Sequence, residues 1–222
     1  MTTPPIVAVI ASTADLARAL RLRRFPDFFE LRLDALHAMA DQLRQIAPKL
    51  RAPLIVTARH PAEGGMHDLS LAARRRLLLQ FLPLAACVDV ELRSAEKLGA
   101  VLATARERGL TQIISTHDLR RTPPAKQLAD FAAAAIESGA DILKVATRTR
   151  TPSDMEILAS FFHEFEPHIS VSVNPLGAEA RRWRLVFARA GSALNYTSVG
   201  TPQIEGQWSF AGFRRALQRL RS

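Results

Sequence analysis

Cysteine is almost missing from this chain of 222 residues, where Cys87 stands alone. One thiol excludes an internal disulfide and a thiolate-rich metal site, and it fits a reducing compartment, so a cytoplasmic protein is expected. Long apolar runs are missing too. None approaches the roughly 20 residues of a membrane span. The amino terminus, Met1-Thr2-Thr3-Pro4-Pro5, has no basic group, and Ile6 to Ile10 is too short for a signal-peptide core. No membrane association is expected. Glycine is sparse, with 10 residues, and nowhere forms the Gly-rich fingerprint of a dinucleotide-binding turn. With no linker and no low-complexity tract, residues 1–222 read as one domain.

Lysine is the remaining scarcity. Of 30 basic residues only Lys49, Lys97, Lys126 and Lys144 are lysines. The net charge of +9 raises the question of nucleic acid. Arg21, Arg23 and Arg24, then Arg74 to Arg76, then Arg214, Arg215, Arg219 and Arg221 interleave with Leu, Ala and Phe, so they read as solvated helix faces. A small anionic substrate is the expected partner, and nucleic acid is not. Three lysines have polar or helix-like surroundings. Lys144, in Asp141-Ile142-Leu143-Lys144-Val145-Ala146-Thr147, has apolar neighbours on both sides. A buried lysine that loses its proton is the nucleophile of Schiff-base chemistry. A lysine snorkelling from a strand end to solvent is the alternative that the local sequence leaves open.

Eight β-like runs alternate with helical stretches: Ile6–Ala11, Phe28–Asp34, Leu54–His60, Cys87–Arg93, Gln112–Asp118, Ile142–Thr147, Ile169–Asn174 and Ala193–Val199. Helices are predicted over Ala14–Arg24, Leu71–Leu82, Ala95–Arg108 and Pro123–Ser138, and in an amphipathic final segment. Eight such units predict a parallel (β/α)8 TIM barrel; a doubly wound open sheet is the alternative.

Strands of a parallel sheet are normally apolar on both faces. Here alternation puts Glu30, Arg32 and Asp34 on one face, Thr57 with Arg59, Asp89 with Glu91, Ser115 with His117, and Ser170, Ser172 and Asn174 together. In a barrel that face points inward, and its carboxyl-terminal end is where active sites form. Adjacent strands lie about 4.8 Å apart, so Lys144 and His117 can reach one small substrate. An iminium on Lys144 would acidify the neighbouring C–H, and His117 could remove that proton and return it to a departing hydroxyl. The pair suggests dehydration of a β-hydroxy ketone, with carbon–carbon cleavage as in a class I aldolase as the alternative. Arg32, Arg59 and Arg181 offer forks for a carboxylate or hydroxyls, and their field is expected to hold Lys144 neutral. Glu63, in the loop His60-Pro61-Ala62-Glu63-Gly64-Gly65, can sit over the barrel mouth and set the tautomer of His117, or be an ordinary loop acid.

Glu30-Leu31-Arg32-Leu33-Asp34, Thr57-Ala58-Arg59 with Glu63-Gly64-Gly65, Asp89-Val90-Glu91, Ser115-Thr116-His117-Asp118, Lys144-Val145-Ala146 and Gly206-Gln207 follow in order over nearly the whole chain. Together they resemble the type I 3-dehydroquinate dehydratases of the shikimate pathway of aromatic amino acid biosynthesis. The resemblance implies a (β/α)8 barrel without metal or organic cofactor, assembled as a homodimer. Lys144 would form the Schiff base with 3-dehydroquinate, and His117 would be base and acid of a syn elimination of water giving 3-dehydroshikimate. Glu63 would pair with His117, and Glu30, Arg32 and Arg59 would hold hydroxyls. Arg181 would grip the carboxylate, and Gln203 and Gln207 belong to the closing loop. The chain departs from the family at Ala180, where Ser is common, at Val173-Asn174, and at Gln203-Ile204-Glu205-Gly206-Gln207, where Ser-Ala-Pro-Gly-Gln is common. The N-terminal hairpin that plugs the barrel base in many relatives is expected to be absent. An aldolase would need a phosphate site, which the isolated Gly177 and Gly200 disfavour. The altered closing loop also admits a degenerate paralogue that binds a small acid without turnover.

Overall fold

A computed structural model describes residues 4–202 and 204–220 of the chain. All eight expected strands are present: β1 (Ile6–Ile10), β2 (Phe28–Arg32), β3 (Leu54–Thr57), β4 (Cys87–Glu91), β5 (Thr111–Asp118), β6 (Ile142–Arg148), β7 (Ser170–Leu176) and β8 (Asn195–Ser198). They are parallel, in the order β7-β6-β5-β4-β3-β2-β1-β8, so β1 to β7 pair in sequence order and β8 returns to β1. This is the (β/α)8 barrel. Its β7–β8 seam is held partly by serines: the Ser172 hydroxyl donates to the Leu194 carbonyl at 2.6 Å, and Ser192 Oγ accepts from the Val173 N–H at 3.1 Å. Among the described residues no strand precedes β1, and no helix is long and apolar enough to cross a membrane.

Two helices begin at serine caps. Ser12 caps α1 (Thr13–Leu20) and Ser70 caps α4 (Leu71–Phe81), each hydroxyl accepting a first-turn N–H. Short helical turns α2 (Leu33–Leu36) and α5 (Leu92–Ala95) begin directly where β2 and β4 end, which shortens both strands relative to the expectation. The helix predicted over Ala95–Arg108 is shorter, α6 (Gly99–Glu107), with α5 ending at Ala95. Between them come α3 (Ala40–Ile46) and, further on, α7 (Ala125–Glu137), α8 (Pro152–Phe165), α9 (Ala180–Ala190) and α10 (Phe210–Arg219).

Two apolar layers follow from the strand pleat. Outward residues such as Leu31, Val56, Val88, Ile114, Leu143 and Val171 pack under the helices in the larger cluster. Inside the barrel a smaller cluster of Val7, Val9, Ala11, Ile55, Cys87, Ile113, Leu194 and Tyr196 fills the lower part. Reading each strand inward and upward gives one sequence of chemistries. Ile55, Thr57 and Arg59; Cys87, Asp89 and Glu91; Ile113, Ser115 and His117 all pass from apolar base to charged mouth. Strand register places Lys144 level with Ser115 and Ser172, and His117 level with Ala146 above them. Lys144 therefore starts from the layer below His117.

The arginines were expected on solvated helix faces, and Arg74 departs from this. It is buried on α4, donating to Glu91, to the Ala58 carbonyl at 2.7 Å and to Ser94 Oγ at 3.3 Å. The i, i+3 and i+4 spacing puts it on the inner face with Leu77 and Leu78, where it ties α4 to the carboxyl ends of β3 and β4. We expect Arg74→Met to cost about 3 kcal/mol, the low end for breaking a buried ion pair, because Glu91 keeps Arg59. Urea unfolding measures it, and a loss below about 1 kcal/mol would place Arg74 among ordinary surface arginines.

Candidate active site

Lys144 is 4 % exposed, so its amine does not snorkel to bulk water. Its Nζ lies 2.9 Å from Asp89 Oδ2 and 3.3 Å from Glu30 Oε1, and 3.6 Å above the ring centre of Tyr196. The arginines whose field was expected to act on Lys144 are not its nearest neighbours. Carboxylates and a π face are its nearest partners, and Arg59 stands behind them. Arg59 is buried too. Its Nη2 donates to Asp89 at 2.8 Å, and its Nη1 reaches Ser115 Oγ at 2.7 Å and Glu91 at 3.1 Å. Ser115 completes the ring by donating to Asp89 Oδ1 at 2.6 Å. Burial alone would push Asp89 up, but Arg59 and Lys144 reverse this and hold its carboxyl well below the usual carboxylate range. The same carboxylates hold Arg59 firmly in its charged form despite its burial.

One layer higher, His117 Nδ1 lies 3.0 Å from Glu63 Oε2, and the same oxygen accepts the backbone N–H of His117 at 2.9 Å. Burial pushes the Glu63 carboxyl up to about 7, with Arg59, Arg93 and the His117 N–H pulling the other way. Burial, followed by the charges of Arg59 and Lys144, holds His117 well below the ordinary imidazole value. An ionised Glu63 makes Nδ1 the protonated nitrogen and leaves Nε2 as the free base.

The loop bearing Glu63 is fixed from below by Asp34, which accepts N–H groups of Arg59 at 3.1 Å and Met66 at 3.0 Å. Gly65 makes this possible: a Cβ there would stand 2.5 Å from the Arg59 carbonyl. Asp34 also takes both prongs of Arg32, at 2.9 and 2.8 Å. This aims the guanidinium along the mouth, where Arg32 Nη2 also meets the Gly64 carbonyl at 2.9 Å.

These groups enclose a cavity of about 130 Å³ above Lys144, bounded by Glu30, Arg32, Arg59, Glu63, His117 and Gln207, among others. A buried amine, a neutral imidazole and three arginines around a space for one small ring suit Schiff-base formation and proton transfer on a hydroxylated keto acid. A sequence model described as Type I 3-dehydroquinase matches residues 6–222. The chain belongs to the type I 3-dehydroquinase family. It is 28% identical over 223 residues to the 3-dehydroquinate dehydratase of Methanococcoides burtonii, covering 98% of this chain and 94% of the relative. It is 32% identical over 206 residues to that of Methanocella arvoryzae, covering 92% and 91%. The crystal structure of 3-dehydroquinate dehydratase from Geobacillus kaustophilus superposes with a TM-score of 0.86 at 28% identity, over 99% of this chain and 92% of that one.

Within this type I 3-dehydroquinase the structure brings Lys144, His117, Glu63, Glu30, Arg32, Arg59 and Gln207 to one cavity. Gln203 lies outside the described residues. Arg181 is elsewhere: it is exposed, its guanidinium rests 5.5 Å from the Trp208 ring, and it borders an outer recess with Ile204, Glu205 and Gly206. Gly206, at φ +80°, lets the closing loop settle against α9, since a Cβ there would meet the Gly177 carbonyl at 2.3 Å and Ala180 Cβ at 2.5 Å. Two cavity residues escaped the sequence reading. Tyr196 looked like one more strand residue, and Arg184 like one more helix arginine. For Arg184 a signal existed, because it shares the buried face of α9 with Ala180, Phe187 and Ala188.

The Asp89 network sets an acid limit on stability. A carboxyl held below its unfolded value stabilises the fold fully above about pH 4, and this is lost as pH falls through the folded value. Asp89→Asn should flatten the dependence of unfolding free energy on pH below about 4 and lower stability at neutral pH. Denaturant titrations at several pH values test this, and an unchanged acid slope would refute it.

Proposed function

We propose that this protein dehydrates 3-dehydroquinate to 3-dehydroshikimate through a Schiff base on Lys144. The observation that carries the reading is a buried lysine rooted one layer beneath a neutral, carboxylate-oriented imidazole in a barrel of this family. The substrate is a ring keto acid with a hydroxyl on the β-carbon. The amine, after releasing a proton to its network, adds to the ketone carbon, and water leaves to form the iminium. Nε2 of His117 takes a proton from the carbon beside it, and the electron pair forms an enamine. The enamine expels the β-hydroxyl as the imidazolium returns the proton, so water departs and His117 is neutral again. Hydrolysis of the conjugated iminium then frees the product and the amine. The net change is loss of one water, and no redox step occurs.

The other residues divide this work. Glu63 sets the tautomer of His117. Glu30 and Asp89 hold Nζ in place, and Arg59 holds Asp89. Arg32 and Arg59 also present donors at the cavity wall, where ring hydroxyls would sit. A homodimer, as the family resemblance implies, and a cytoplasmic setting, which the single thiol fits, belong to the same proposal.

Borohydride added with 3-dehydroquinate should place a substrate-derived mass on Lys144 and abolish turnover; a mass on Lys49, Lys97 or Lys126, or none, sinks the reading. His117→Ala should still be trapped but lose about 10²- to 10⁴-fold in kcat, the usual worth of a positioned acid–base. An aldolase would instead release a carbon fragment, and a non-catalytic binder would give no absorbance of a conjugated enone acid.

The pH profile has a stated sign. Only ionised Glu63 holds His117 with Nε2 free, so kcat/KM should fall as pH drops through about 7. Glu63→Gln should be slow throughout and lack that limb. A Glu63→Gln profile that keeps the wild-type limb would assign the titration to another group.

A further inference from the structure

We propose that the side-chain amide of Asn174 accepts a hydrogen bond from the departing hydroxyl of the substrate and so orients it for elimination. This rests on the dehydratase reading above and adds a second group, beside His117, that acts on the leaving oxygen. Asn174 lies on β7, is 4 % exposed and borders the cavity that contains Lys144. Its Nδ2 donates to Ser172 Oγ at 3.0 Å and reaches the Ser172 carbonyl at 3.5 Å. Chemistry fixes which end of the amide faces Ser172. The Ser172 hydroxyl gives its own proton to the Leu194 carbonyl at 2.6 Å, so towards Asn174 its oxygen can only accept. The nitrogen therefore faces Ser172, and the oxygen is left for the cavity.

That oxygen is free to work. Among the described residues Oδ1 accepts no hydrogen bond, and it is not sealed from the open space. The strand end that carries it is held on the next residue: the Pro175 carbonyl accepts the Nε–H of Arg184 at 3.0 Å, and Arg184 Nη1 donates to the Tyr196 carbonyl at 2.9 Å. The carboxylates at the cavity are already engaged, Glu30 with Thr57 and Lys144, and Glu63 with His117. A buried amide oxygen with no donor of its own suits a ligand that brings one, and a hydroxyl does.

Register indicates which hydroxyl. His117 pairs with Ala146, and Ala146 with Asn174, so the three share one layer with about 10 Å between the outer two strands. Lys144 rises from the layer below on the strand between them. A ring joined to Lys144 through its ketone carbon has the imidazole on one flank and the amide on the other. The hydroxyls that survive the reaction are assigned above to Glu30, Arg32 and Arg59, from β2 and β3 across the barrel. Beside Lys144 and Asn174, the cavity wall of β6 and β7 consists of apolar Ala146 and Leu176. The β-hydroxyl, which His117 must reach, falls to this side. With its O–H donated to Oδ1, the hydroxyl turns a lone pair to Nε2 of His117, and its oxygen becomes more basic. As the enamine returns to a conjugated iminium, the C–O bond breaks and the Nε2–H proton joins the oxygen. The hydroxyl's own proton leaves with it, as water.

Deuterium wash-in from D2O separates this step from the one before. Exchange at the carbon beside the ketone needs His117 but no leaving group. Asn174→Leu, similar in size and without an acceptor, should be trapped by borohydride as wild type is. It should slow single-turnover dehydration about 10- to 100-fold and raise the ratio of wash-in to dehydration about tenfold or more, the effect of stranding a buried donor. Asn174→Ala, where a water can replace the amide oxygen, should move the ratio the same way by about threefold, and it reads the ratio even if Asn174→Leu does not fold. An unchanged ratio in the folded variants overturns the proposal. Equal slowing of both steps would mark a purely structural asparagine, and no slowing would mark an idle one. Wild-type protein that neither traps nor dehydrates 3-dehydroquinate rejects the functional reading itself, and this proposal with it.

Discussion

The contact between the Lys144 amine and the Asp89 carboxylate is the constraint on which the barrel mouth depends. Three buried cations and three buried carboxylates meet there, and none could be buried singly without a penalty of several kcal/mol. Asp89 is the shared member, bonded to Arg59, Ser115 and Lys144. Its neighbours extend the network to Glu30, Glu91 and, through Arg74, to α4. Each ion pair thus joins different elements around the barrel mouth. The strands cannot slide past one another without breaking several ion pairs, so the layer that positions the amine also locks register at the mouth.

That network explains why the chemistry lies where it does. Net neutrality around Lys144 allows burial, and burial keeps His117 free of a proton at the working pH. Glu63 then decides which nitrogen is the base. The price is a catalytic layer whose stability is sensitive to acid. The remaining imbalance is Arg184, charged, buried and without an acidic partner in the described protein.

How much of this was legible varies by element. The eight strands and their inward face could be read because alternation of period two survives in β2 to β5, each with polar or charged groups where a parallel strand should be apolar. Lys144 and His117 stood out because lysine is rare and imidazole ends a strand. Arg74 and Arg184 did not, although each sits at i, i+3 or i+4 from buried leucines or phenylalanine. In a chain with so many arginines, an amphipathic helix hides a buried cation among solvated ones. The partners that reveal it, Glu91 and the carbonyls of Pro175 and Tyr196, come from other elements.

Local order of residues determined the strand and helix periods, the helix caps at Ser12 and Ser70, and which side chains share the inside of the barrel. These depend on interactions over a few residues, or on the pleat alone. Which charges pair depended on tertiary structure, because an ion pair is chosen by distance between strands and not by spacing along one. So the arginines proposed to keep Lys144 neutral proved to stand behind carboxylates. And of two arginines three residues apart on α9, only closure of the barrel decided that Arg184 turns inward while Arg181 lies against Trp208.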